Sequence, residues 1–244
     1  MIHTLPRVVC ITNDNYLWAV RPYAYLMKQY WDVSDLRVVV AGFTPPDFEL
    51  PPNFQFHSID KVNYPKEKWS NGFIKLLQDL PNDDLIVLML EDYWLIRQVD
   101  GGFMHHCAAF MRENPNILRI DLTNDRLHAL GDARAAIDFW NIFHYDIIIT
   151  PFDIQYRMSF QAGMWNRKLL LDVLKPDKSP WETEIHTNPP DTMLVLGTRQ
   201  WPMRYCNAIY KGKLDEKELS AIPSRHMKAI QDWIPKDIEL RETK

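Results

Sequence analysis

The chain has 244 residues, 46% of them apolar and 25% charged, and a net charge of −4. That is enough chain to bury one sizeable core and too little positive charge for a field that holds nucleic acid by phosphate neutralisation. Cys10, Cys107 and Cys206 form no CxxC pair, which excludes a disulfide scaffold or zinc knuckle and suits a reducing compartment.

Residues 7–12 are a short β-rich apolar run that empties into Asn13-Asp14-Asn15, a buried strand followed by a loop. This run is too short, and too soon broken, for a secretion signal. Residues 17–31 carry bulky apolar side chains at helical spacing, with Pro22 in the first turn, where a missing N–H costs little. Residues 36–43 read as a second buried strand, and 53–59 alternate as a third with one exposed face. Residues 66–80 predict a helix that stops at Pro81. Residues 85–90 form the most hydrophobic run and lead straight into Glu91-Asp92. Gly101-Gly102 opens a helix that reaches Glu113, and 117–122 is a further strand. Residues 147–150, 158–165 and 203–209 predict strands, and 167–174 a helix. The proline-flanked stretch 179–184 predicts an ordered, non-regular loop.

Strands alternating with helices of this length predict an α/β fold, with a mainly parallel central sheet flanked by helices. No linker divides the chain, so one domain is expected over 1–213, with a charged helical tail packing on it over 214–244. No run reaches the ~18 apolar residues of a membrane span, and the cytoplasm is the expected location.

In an open α/β sheet, ligands sit at the carboxyl edges of strands. Two edges stand out: 12–16 after the first strand and 91–94 after the fourth. A carboxylate pair directly after a rigid apolar strand is pushed to the rim. There Mn²⁺ or Mg²⁺ takes few protein ligands plus phosphate oxygens and neutralises a leaving diphosphate. The structural alternative is a helix cap or an ion pair with Arg97. Trp181-Glu182-Thr183-Glu184 sets carboxylates beside an indole that stacks on sugars. Glu184, with Glu182 second, fits a base that takes an acceptor hydroxyl's proton; the alternative is a solvated acidic loop with Trp181 plugging the core. Arg204, Lys211 and Lys213 gather around a turn at Gly212, and Lys as a point charge suits a diphosphate. His105 and His106 diverge by about 100° on a helix and read as structural. His186 lies nearer the proposed base. No GxGxxG, GxxxxGK[ST] or GxSxG occurs, so dinucleotide-binding, P-loop and serine-hydrolase readings lose their main support.

The block DLIVLMLEDYWL at 84–95 resembles the strand, acidic pair, aromatic and Leu element of GT-A glycosyltransferases. ITNDNY at 11–16 is similar to the place where that fold receives a nucleotide base, and SFQAGMWNR at 159–167 to the strand and helix lining its sugar and acceptor pocket. SPWETE at 179–184 and YCNAIYKGK at 205–213 resemble recurrent elements of a bacterial and viral subgroup. The likeness runs from about residue 7 to 213. It departs from the family in its acidic motif, Glu-Asp-Tyr where Asp-x-Asp is usual, which makes Asp92 the firmer metal ligand and Glu91 the second.

The resemblance implies a metal-dependent transferase of the hexosyl- or pentosyltransferase class. It would move a sugar from a nucleoside diphosphate, UDP foremost, to an acceptor hydroxyl with the help of Mn²⁺ or Mg²⁺. Thr12, Asn13, Asp14, Tyr16, Arg21, Lys211 and Lys213 would bind the donor. Tyr93, Trp94, Gln161, Trp165 and Trp181 would shape the sugar and acceptor pocket. The acceptor would be a surface glycan or a hydroxymethylated base of viral DNA. The second case places the chain in a host's cytoplasm, with Arg97, Arg126, Arg134, Arg157 and Arg167 as a basic stripe. The competing readings are a non-catalytic carbohydrate- or protein-binding α/β module and a nucleotidyltransferase.

Overall fold

The computed structural model describes residues 5–31, 36–80, 82–126, 138–142, 144–154 and 156–241. In chain order the strands of the main sheet are β1 (Arg7–Ile11), β2 (Val38–Gly42), β3 (Phe54–Ser58) and β4 (Leu85–Leu90), then β6 (Ile117–Asp121), β7 (Asp138–Ile142), β8 (Tyr145–Ile149), β9 (Gly163–Asn166) and β10 (Leu194–Thr198). Between them lies the short β5 (Tyr93–Leu95), and beyond them β11 (Tyr205–Asn207), β12 (Ile209–Tyr210) and β13 (Lys213–Leu214). The helices are α1 (Val20–Tyr30), α2 (Trp69–Gln78), α3 (Gly101–Glu113), α4 (Arg167–Val173), α5 (Pro180–His186), α6 (Glu216–Leu219) and α7 (Ser224–Ile230).

The nine-stranded sheet has the order β3-β2-β1-β4-β9-β6-β10-β8-β7. β8 and β9 run against the other seven strands, so the sheet is mainly parallel. Alternate residues of each strand feed opposite faces. Val8, Cys10, Val87 and Met89 pack beneath Tyr23 and Leu26 of α1 and Phe103 and Cys107 of α3. Val9, Ile11, Ile86 and Leu88 pack against Phe73 and Leu76 of α2 and Leu170 of α4. Helices therefore cover both faces, which is why β2 and β4 are apolar throughout. Among the described residues, no helix is long and apolar enough to cross a membrane.

The segment after β13 folds back on the sheet's α1 side. Ile222 and Ile230 enter the core there, and the Tyr25 hydroxyl lies 3.1 Å from His226 Nδ1.

Several segments depart from the sequence expectation: β5 and β7 are not among the expected strands, and the strand predicted over 203–209 is divided into β11 and β12. The predicted strand over 158–165 is regular only from Gly163, because β9 is confined between β4 and β6 and 159–161 leave the sheet to form a rim. Residues 194–198 carry no strong strand signal, since Gly197 interrupts a short run. Their pairing with β6 and β8 makes them β10. The stretch 179–184 is a helix rather than a loop. Ser179 caps α5 in a capping box with Glu182, and Pro180 occupies the first turn, where proline is preorganised.

Candidate functional site

β1, β4 and β6 point the same way, and β9 enters antiparallel between β4 and β6. Their adjoining ends therefore bring four segments to one edge of the sheet: 12–16, Glu91-Asp92, 122–126 and 159–162. A second layer closes over that edge where β11 pairs with β5, Asn207 opposite Tyr93 and Tyr205 opposite Leu95. The Ala208 N–H donates to the Asp92 backbone carbonyl at 2.9 Å. With its amide oriented as its neighbours require, Asn207 donates to Asp92 Oδ2 at 2.7 Å and to the Ile209 carbonyl at 3.1 Å.

The two adjacent carboxyls sit in an unusual electrostatic environment. Burial raises Glu91 well above the ordinary carboxylate range, and the charge of Asp92 raises it further, against opposing hydrogen bonds from its backbone N–H and the Thr12 hydroxyl. Burial likewise pushes Asp92 up to about 7. Asn13 Nδ2 reaches Glu91 Oε1 at 3.5 Å, and the Trp94 indole N–H donates to the Glu91 backbone carbonyl at 3.0 Å. Among the described residues, no Lys or Arg forms an ion pair with either carboxyl. Arg97 instead donates to the Trp201 carbonyl at 2.7 Å.

Beside this pair opens a cleft of about 260 Å³, walled by Thr123, Asn124 and Asp125, by Gln161, by Trp201, Met203, Tyr205 and Asn207, and by Glu218. Tyr93 stacks on Tyr205 with ring centres 4.3 Å apart and planes 17° apart, and the Tyr205 hydroxyl donates to the Gln161 side-chain carbonyl. Asp125 would be raised by its burial, but Arg126 and Arg119 hold it below its ordinary value. Arg126 Nη2 donates to it at 2.6 Å. Glu184 comes alongside from α5, and its Oε1 accepts from the Phe160 N–H at 2.6 Å. Burial raises Glu184, opposed by that N–H and by Arg119.

The structure thus gathers Thr12, Asn13, Glu91, Asp92, Tyr93, Gln161 and Glu184 at one edge, and Tyr16 and Lys211 near it. Lys211 (φ +49°) and Gly212 (φ +84°) make the tight turn between β12 and β13, the left-handed pair such a two-residue hairpin favours. A side-chain carbon on Gly212 would lie 3.1 Å from the Tyr16 hydroxyl.

Other predicted residues are held elsewhere. Asp14 is bound to Lys61 at 2.7 Å. Arg21 lies over the Trp233 ring at 4.6 Å, and Lys213 pairs with Glu239 at 2.7 Å. Trp94 and Trp165 are fully buried in the core, because β5 and β9 turn their large rings inward. Trp181 is 71% exposed and does not plug the core. Glu182 accepts from the Ser179 N–H and hydroxyl at 2.9 and 2.8 Å, so its carboxylate serves the cap of α5. Replacing Ser179 with Ala is expected to cost about 1 kcal/mol and to loosen the short helix that carries Glu184. Hydrogen exchange across 180–186, faster in the variant with the sheet unchanged, checks this.

Three of the four described arginines of the basic stripe, Arg126, Arg157 and Arg167, are bonded inward. Arg126 and Arg157 are fully buried, and Arg157 donates to the carbonyls of Pro189 and Met193 at 2.7 and 2.8 Å. Arg167 reaches the carbonyls of Asp83 and Leu77. Arg134 lies outside the described residues.

Asp125, Tyr205, Asn207 and Glu218 line the cleft without having been singled out as candidates. For Asp125 the sequence offered only a polar cluster, Thr123-Asn124-Asp125, directly after a buried strand.

No protein-family model and no curated protein matches the chain. Solved structures are similar to the chain over part or most of its length. The galactosyltransferase LgtC in complex with donor and acceptor sugar analogues is similar over 95% of this chain and 98% of that one, at 10% identity and a TM-score of 0.49. An active-site mutant of LgtC is similar over 68% of this chain and 59% of that one, at 10% identity and a TM-score of 0.42. The apo structure of the bifunctional glycosyltransferase WbbM is similar over 69% of this chain and 32% of that one, at 11% identity and a TM-score of 0.39.

Proposed function

We propose that the chain is a glycosyltransferase that uses a nucleoside-diphosphate sugar, UDP-linked foremost, and a divalent cation. The observation that carries the reading is the Glu91–Asp92 pair at the carboxyl edge of β4. Two adjacent carboxyls are pushed toward neutrality there, with no basic side chain paired to either among the described residues. That donor set fits Mn²⁺ or Mg²⁺, a hard cation that accepts a few carboxylate oxygens and completes its shell with phosphate. Asp92 would hold it, with Glu91 behind, and the bound cation would supply charge neutralisation to a departing diphosphate.

The chain's own residues then divide the remaining work. Thr12, Asn13 and Tyr16 border the nucleoside end, and Lys211 offers a point charge on a left-handed turn beside Tyr16. Gln161, Tyr205, Asn207 and Asn124 present amide and phenol groups to a cleft with an indole wall at Trp201, a lining suited to sugar hydroxyls and sugar faces. Asp125 and Glu218 line the cleft, and Glu184, bonded to the Phe160 N–H, is the base we propose for the acceptor hydroxyl's proton. Burial raises Glu184 above its ordinary value, the direction that suits a base. Three arginines of the described part of the stripe are bonded inward, which favours a glycan acceptor over DNA.

Calorimetry and donor hydrolysis with a panel of nucleotide sugars, with and without Mn²⁺, test the reading. Binding of a nucleotide sugar that strengthens with Mn²⁺ is expected. If none binds and none is hydrolysed, the proposal falls. Glycan binding that needs no nucleotide would mark a binding module instead, and transfer of the nucleotidyl group a nucleotidyltransferase.

A further inference from the structure

β6 reads Ile117-Leu118-Arg119-Ile120-Asp121, which sets Arg119 and Asp121 two residues apart on the same face of a strand buried on both sides. Both are fully buried, and Arg119 Nη2 donates to Asp121 Oδ1 at 3.2 Å. Neither lines the cleft, yet its walls hang from them. Asp121 accepts from the Thr123 hydroxyl at 3.0 Å and from the Arg126 N–H at 3.2 Å, and Thr123 Oγ1 accepts from the Asp125 N–H at 3.0 Å. The Asp121 carboxylate therefore ties down the turn that carries Thr123, Asn124 and Asp125.

On its other side, Arg119 Nη2 donates to the Gln161 backbone carbonyl at 3.0 Å. The Gln161 side chain is in turn the acceptor for Tyr205. Arg119 lies against the Trp165 ring at 5.1 Å. A methyl on Gly163 would approach Arg119 Nε to 2.8 Å, so the guanidinium has one place to sit.

Not every polar atom of the pair is bonded. Arg119 Nε and Nη1 are buried with no hydrogen-bond partner among the described residues. A buried ion pair whose remaining donors go unmet is commonly matched or surpassed in stability by apolar side chains of similar volume.

We infer that Arg119 and Asp121 are positioning residues, a buried ion pair that sets the separation of the Thr123–Asp125 and Gln161–Tyr205 walls of the cleft. The inference rests on the sugar-transfer reading and concerns the geometry of that same site.

The test compares wild type with the double variant Arg119→Met, Asp121→Leu and with Asp121→Asn. Each is measured for melting temperature, for UDP–Mn²⁺ affinity by calorimetry, and for turnover of the nucleotide sugar that the wild type uses. The double variant leaves the Thr123 hydroxyl, the Arg126 N–H and the Gln161 carbonyl without their partners. It is therefore expected to melt below the wild type and to bind UDP–Mn²⁺ within about twofold of it. Its turnover should fall about 100-fold, the scale of an ångström's misplacement. Asp121→Asn keeps one acceptor oxygen and should lose about 10-fold.

Full turnover in the double variant overturns the inference, as does an affinity loss that matches the turnover loss. If the double variant fails to fold, the same two numbers for Asp121→Asn decide. If the wild type turns over no nucleotide sugar, the functional reading has failed, and the pair is judged by hydrogen exchange. Thr123 and Arg126 amides at least 10-fold faster in Asp121→Asn, with β4 amides unchanged, support it; unchanged exchange overturns it.

Discussion

Replacing Asp92 with Asn is expected to slow turnover about 10³-fold and, in the absence of metal, to raise the melting temperature. Both effects have one origin. Asp92 and Glu91 are neighbouring carboxyls that burial drives toward neutrality, and the charge of Asp92 raises Glu91 further. At pH 7.5 the metal-free protein must hold that charge without a basic partner among the described residues, which is a standing cost to the fold. An amide at position 92 removes one charge, relieves Glu91, and can still accept from the Asn207 side chain. A rise of several degrees in the metal-free melting temperature should follow.

The same change removes the firmer of the two cation ligands. Charge neutralisation by a bound metal is worth several kcal/mol at the transition state, and each 1.36 kcal/mol is tenfold in rate. Turnover should therefore fall by about 10³-fold, measured as Mn²⁺-dependent hydrolysis of the donor. Glu91→Gln should raise stability similarly and lower turnover less. Unchanged Mn²⁺-dependent turnover in Asp92→Asn would remove the metal role while leaving the fold intact. A fall in stability would show that Asp92 is structural.

What was legible in the sequence was local. The apolar hexad over 85–90 and the helix opened by Gly101 appear with the bounds their patterns predict. The acidic pair follows β4 at the sheet edge, where strand ends in an α/β sheet collect ligands. Ser179-Pro180-Trp181-Glu182 was equally local, since a Ser three residues before a Glu with Pro between them is a helix start. The surrounding prolines obscured it. What stayed hidden depends on long-range pairing. Trp94 and Trp165 carry the same indole whether they face a sugar or a core. Only the placement of β5 and β9 sends them inward, where Trp94 meets Trp18 edge-on at 6.1 Å. Asp125 becomes a cleft residue because β6 lands beside β9 and β10, a crossover with no local signature. Arg119 and Asp121 break an apolar strand pattern, and only the hydrogen bonds across the sheet give that break a reason.

The carboxyl pair also makes the protein's pH dependence predictable in sign. Asp92 titrates near 7 when folded and near 3.9 when unfolded, and Glu91 is raised as well. Between about pH 4 and 7 the folded chain therefore binds more protons than the unfolded chain. The stability contributed by protonating Asp92 is fully present below about pH 4 and is lost as pH rises through about 7, and Glu91 acts in the same direction. Asp84 and Asp14, held low by Arg112 and Lys61, act with the opposite sign, but only as pH falls below about 4. The pair's contribution is isolated as the difference between wild type and Asp92→Asn. Without metal, that difference should be small at pH 5 and should grow against the wild type up to pH 8.

Mn²⁺ must reverse it. A cation binds the deprotonated pair, so each proton it displaces makes its affinity rise about tenfold per pH unit below the pair's titration. At 100 times its dissociation constant a ligand adds about 2.7 kcal/mol to stability. Millimolar Mn²⁺ should therefore lift the wild-type melting temperature by several degrees at pH 8, barely move it at pH 5, and leave Asp92→Asn nearly unaffected at both. An equal shift at the two pH values, or an equal shift in the variant, would mean that the metal binds elsewhere. Glu91 and Asp92 would then be an acidic strand end and nothing more.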